Sequence, residues 1–64
     1  MKRKELKSFA KQIVDAEEII RTSDDKQAIY QAQQKVMDIT NRIESSDDMF
    51  LLDEIIQEMM EKNS

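Results

Sequence analysis

The stretches Ile20-Arg21-Thr22-Ser23-Asp24-Asp25-Lys26-Gln27-Ala28-Ile29 and Ile43-Glu44-Ser45-Ser46-Asp47-Asp48-Met49-Phe50-Leu51-Leu52 decide the fold of this chain. On either side of them apolar residues recur at steps of three and four: Leu6, Phe9, Ile13, Ala16 and Ile20, then Ile29, Ala32, Val36, Ile39 and Ile43, then Leu52, Ile55 and Met59. That is the period of an amphipathic helix, and nothing alternates with period two over a useful length. Across each quoted stretch the step is nine residues. At about 100° per residue, nine residues would carry the apolar stripe to the opposite side of one continuous helix. The chain is therefore expected to turn back at both places.

With no Gly and no Pro in the sequence, the stops must come from capping residues. Thr22-Ser23-Asp24-Asp25 and Ser45-Ser46-Asp47-Asp48 supply them. Short polar side chains compete with the helical backbone for hydrogen bonds and then cap the next helix, and Asp suits the positive end of the helix dipole. Thr22 with Asp25, and Ser45 with Asp48, have the spacing of a capping-box variant, which also matches an acid-directed phosphorylation site; a cap is sufficient explanation. Helices are expected over residues 3 to 21, 25 to 44 and 47 to 62, in one all-α domain spanning 1–64. Short turns make this a small three-helix up-down-up bundle, and self-association is expected of it. The rival is a helical hairpin whose third helix packs on another copy. An offset of 23 residues carries Leu6 onto Ile29 and Ile29 onto Leu52, which reads as similar helices with similar caps more readily than as internal duplication.

Length and composition narrow the function. A chain of 64 residues buries only about 60% of its unfolded surface, so its core is marginal and association is expected. Absence of Cys removes disulfides and thiolate metal sites, and absence of His removes the commonest acid/base near neutral pH and the usual zinc ligand. Met49-Phe50-Leu51-Leu52 is the longest apolar run, against the ~20 residues of a membrane span. The basic start is followed by Lys11, Asp15, Glu17 and Glu18 where a signal peptide would be apolar, so a cytoplasmic, membrane-free protein is expected.

Carboxylates are the only abundant chemical group. Glu54, Glu58 and Glu61 fall on one helix face. Bundle metal centres also use a Glu-x-x-His element, and calcium loops use a glycine turn; neither occurs here. Two-carboxylate catalysis needs a cleft that desolvates one of the pair. The expectation is no enzyme, no catalytic residue, no metal and no cofactor. The acidic line is read as a solvated face or a partner rim.

The basic residues concentrate at the start: Lys2, Arg3, Lys4, Lys7 and Lys11 precede residue 12 with only Glu5 against them, in a chain of net charge −4. In an up-down-up bundle this start lies beside the turn holding Glu44, Asp47 and Asp48, a match worth under about 1 kcal/mol per exposed pair. A nucleic-acid or phosphate contact is the weakest reading, because the remainder is acidic and no recognition helix rich in Arg and Asn is present.

The apolar residues outnumber the stripe. Ala10, Ile19, Ala28, Met49, Leu51 and Ile56 widen it into a core. Val14, Tyr30, Met37, Phe50 and Met60 fit less well, and protein interfaces favour flexible Met and amphipathic Tyr. The expected partner surface comprises Tyr30, Met37, Phe50 and Met60, with Ile56 at the edge of the core stripe and Glu54, Glu58 and Glu61 as an acidic rim. The function expected is a small regulator or adaptor that binds a protein of unknown identity, with a homodimer anticipated. The alternative is a structural homo-oligomer or assembly component.

Overall fold

A computed structural model describes residues 2–63. It contains α1 (Arg3–Thr22), α2 (Lys26–Arg42) and α3 (Ser46–Asn63), and no strand among the described residues. The longest dimension is 34 Å, where a single helix of this length would reach about 95 Å. The chain turns back twice, as the nine-residue steps require.

Neither turn uses a left-handed residue, and no described residue has a positive φ. Ser23 and Ile43, which end α1 and α2, are both extended. The start of α2 is built by side chains. The Asp25 carboxylate accepts from the Gln27 backbone N–H at 3.0 Å, and the Ser23 hydroxyl oxygen accepts from the Asp25 N–H at 3.1 Å. Thr22 is not part of this cap. It is the last residue of α1, and its hydroxyl donates back to the Glu18 carbonyl at 2.7 Å. A carboxylate next to the first helical residue reaches the orphan N–H groups more directly than a hydroxyl four positions away. Asp25→Ala is expected to lower stability by about 1 kcal/mol. Urea unfolding followed by circular dichroism checks this, and an unchanged midpoint would show the cap to be energetically idle. At the other turn α2 stops two residues short of the expected end. The Thr40 hydroxyl lies 2.9 Å from the Val36 and Met37 carbonyls, and Ile43 leaves the helix yet stays buried. The α3 ladder opens with the Met49 N–H donating to the Ser45 carbonyl at 3.1 Å.

The core joins the first half of α1 (Leu6, Ala10, Ile13) to the end of α2 (Ile39, Ile43) and the first half of α3 (Leu52, Ile55). These pairings make helices consecutive in the chain antiparallel and set α1 and α3 parallel. α1 packs against both α2 and α3, so the hairpin with a third helix lent to another copy is set aside. The interior is apolar: among the described residues no polar side chain is buried.

The bundle is open. α2 and α3 touch each other only marginally, although three residues join them. The core cluster draws on Ile39 and Ile43 before that turn and on Leu52 and Ile55 after it. Ile20 and Ile29, expected in the stripe, lie outside the core cluster and are half-buried. The radius of gyration is 12.0 Å, against about 10.7 Å for a compact chain of this length. The accessible surface of 5152 Å² exceeds the roughly 4,300 Å² expected of a compact monomer of this mass.

Candidate protein-interaction surface

Because α1 carries the packing for both neighbours, each of the other helices has one flank turned toward α1 and one turned away. On α2 the flank toward α1 is marked by Ala28, Gln31, Ala32 and Lys35, which with Gln12, Asp15, Ala16 and Ile19 of α1 line an open groove of about 260 Å³. At about 100° per residue, Tyr30 and Met37 fall on the other side of the α2 core stripe. Both are exposed, at 61% and 56%. Gln27, Gln33, Gln34 and Asn41 surround them and are exposed too. In a chain that is 38% charged, this face is nearly free of charge beyond Lys26. Depletion of charge with aromatic and Met enrichment is the composition of an interface centre.

On α3 the flank toward α1 is marked by Met59 and Lys62, which with Lys11, Val14 and Asp15 line a second groove of about 240 Å³. The flank turned away carries Met49, Ile56 and Met60, spaced by seven and four. Met49 and Met60 are exposed, and Ile56 is half-buried against the core. Phe50 belongs to neither flank. It is 69% exposed and projects opposite the core stripe, in line with Glu54, Gln57 and Glu61. Glu58 is exposed beside that line.

The structure thus divides the expected partner surface. Tyr30 with Met37 on α2, and Ile56 with Met60 on α3, lie on the sides of those helices turned away from α1. Phe50, Glu54, Glu58 and Glu61 form a separate outer face of α3. Two residues expected to widen the core are exposed instead: Ile19 and Met49. Ile19 overhangs the α1–α2 groove, where Ala28 and Ala32 supply too little bulk to cover it. Met49 begins α3 on the side α1 does not reach. The seven-residue step from Met49 to Ile56 was the available signal for this second apolar line.

No protein-family model, curated protein or solved structure matches this chain. The site therefore rests on its own chemistry. Among the described residues no group of three or more acidic side chains is placed to hold a metal ion, and no helix is long and apolar enough to cross a membrane.

The charge of the three helices differs in sign. α3 carries Asp47, Asp48, Asp53, Glu54, Glu58 and Glu61 against Lys62, whereas α2 carries Lys26, Lys35 and Arg42 against Asp38. An approaching molecule meets apolar flanks with a neutral margin on the α2 side and an acidic margin on the α3 side.

Proposed function

We propose that this protein is a non-enzymatic protein-interaction module, a small cytoplasmic regulator or adaptor that works through apolar helix flanks bordered by acid. The observation that carries this reading is the exposure of Tyr30, Met37 and Met60 on the flanks of α2 and α3 that α1 leaves uncovered. Large side chains in such positions are of no use to the isolated fold and gain most when a partner removes them from water.

The test separates binding from folding. Tyr30→Ala, Met37→Ala, Met60→Ala and, on the outer face, Phe50→Ala are expected to leave helicity and melting nearly unchanged. Those at the centre of the interface weaken association by about 1 to 3 kcal/mol. Val36→Ala, beside the core cluster, lowers stability instead. Immobilised wild-type chain is expected to recover a distinct protein that the Tyr30→Ala chain does not. If these substitutions melt the isolated chain as much as Val36→Ala does, their side chains are structural and the interaction reading fails. Replacing Glu54, Glu58 and Glu61 by Gln is expected to slow association and flatten its salt dependence more than it changes final affinity.

A second reading, a structural homo-oligomer, is favoured by Phe50, whose exposed ring is far from the other apolar flanks. It requires a thermal midpoint that rises with protein concentration, because self-association stabilises the folded state. A monomer mass in sedimentation with a constant midpoint removes it.

A further inference from the structure

The groove of about 240 Å³ between α1 and α3 is lined by Lys11, Val14 and Asp15 of α1 and by Met59 and Lys62 of α3. Its apolar part, Val14 and Met59, is half-buried, and Lys11 and Lys62 beside it are exposed. Two Lys against the single Asp15 leave the lining net positive, in a chain of net charge −4. The α1–α2 groove has no such bias, with Lys35 against Asp15. An apolar floor beside two ammonium groups suits an aromatic ring, which buries against the first and attracts the second through its face. From Lys11 a basic line runs back along α1 through Lys7 and Lys4, all exposed and spaced by four and three.

The same chain carries the complement of this surface. Of its three aromatic residues, Phe9 packs against the core and Tyr30 stands on the nearly uncharged face of α2. Phe50 alone is exposed among acids: Asp47, Asp53 and Glu54, its neighbours at three and four residues, are exposed as well. The spacings agree. At about 1.5 Å per residue, Glu54 and Glu58 lie about 6 and 12 Å beyond Phe50, and Lys11 and Lys7 lie about 4.5 and 10.5 Å back from Val14. An α3 laid antiparallel on the α1 of another copy, with Phe50 in the groove, therefore sets Glu54 against Lys11 and Glu58 against Lys7. We propose that this protein self-associates head to tail, Phe50 of one copy entering the α1–α3 groove of the next beside Lys11 and Lys62. This rests on the homo-oligomer reading above and gives it two surfaces. Net charge opposes a second copy at long range, but salt screens that repulsion beyond about 8 Å, and the groups brought into contact are of unlike sign. Knob and groove are different surfaces, so each copy offers both and the assembly continues as a ring or an open chain.

The experiment follows the mass of the full chain by sedimentation as its concentration is raised. Wild type is expected to pass from monomer through dimer to larger species. Phe50→Ser, which removes the knob, and Lys7→Glu/Lys11→Glu, which reverses the charge beside the groove, change only exposed residues. Each is expected to associate at least tenfold more weakly while keeping wild-type helicity by circular dichroism. Mixed together, the two variants are expected to form a one-to-one dimer and nothing larger, because the first supplies the only intact groove and the second the only intact Phe50. Tyr30→Ser/Met37→Ser is expected to assemble as wild type does. Failure of the two variants to pair overturns the proposal, as does wild type that stops at a dimer. Loss of assembly in Tyr30→Ser/Met37→Ser with retention in Phe50→Ser moves self-association to α2 and also overturns it. If wild type assembles and both variants assemble equally well, the homo-oligomer reading stands and these two surfaces fall. If wild type stays monomeric at every concentration, both fall.

Discussion

Leu6→Ala and Leu52→Ala are each expected to cost about 2 to 5 kcal/mol of folding stability. Both side chains are fully buried, and they belong to the one cluster where α1, α2 and α3 meet. A chain of 64 residues holds roughly 3 to 10 kcal/mol in total, so either truncation takes a large share of it. The open end cannot compensate, because Ile20 and Ile29 are outside the cluster. Urea unfolding followed by circular dichroism is expected to show both variants largely unfolded at room temperature or melting far below wild type. Val36→Ala, half-buried at the margin of the cluster, should shift the midpoint less. If Val36→Ala proves as damaging as Leu52→Ala, the core extends further into the open end than the packing described here.

Ala10→Leu is expected to destabilise by about 1 to 3 kcal/mol, since a well-packed core accepts extra methylene groups only by moving side chains and backbone. Ala10 has no exposed surface and sits on the helix that contacts both neighbours, so added bulk pushes α1 from the rest of the cluster. Ala28→Leu is the paired control. Ala28 is half-buried on the wall of the open α1–α2 groove, where a larger side chain fills space beside Ile19 and is expected to be neutral or stabilising. Thermal melts of the two chains should therefore move apart. Equal destabilisation would mean that the groove is closed in solution; tolerance of Ala10→Leu would mean that the helices separate more easily than a packed core allows.

Function is less legible here than fold, and the reason lies in the kind of signal each leaves. Periodicity marks a residue as off the stripe, and by that measure Val14, Tyr30, Met37, Phe50 and Met60 all stood out; the last four are exposed, while Val14 is half-buried beside α3. The same measure cannot say which of them share a surface, because that depends on where neighbouring helices stand. Residue spacing sets Phe50 opposite the core stripe of α3 and Met60 on its flank. Only the position of α1 decides that this flank is the uncovered one. Ile19 and Met49 fail for the same reason: a residue flanking the stripe is buried only if a neighbour reaches it.

Three helices, their direction reversals and most of the buried stripe are legible in the residue order alone. Those follow from local causes: the three-and-four spacing, the nine-residue steps, and Ser and Asp where the backbone needs caps. The structure corrected details of the same kind, with Asp25 capping in place of Thr22 and α2 ending at Arg42, where Ile43 turns extended and its N–H donates to the Thr40 carbonyl. The angle between α2 and α3 was decided only in three dimensions. Three-residue links permit closed and open bundles alike, and the choice turns on how side chains of different size fit between helices: Leu6, Ile43, Leu52 and Ile55 draw one end together, while the other leaves Ile20 and Ile29 half-covered. Helix periodicity is a property of neighbours in the chain, whereas an opening between helices is a property of residues distant in the chain, and packing alone brings those into register.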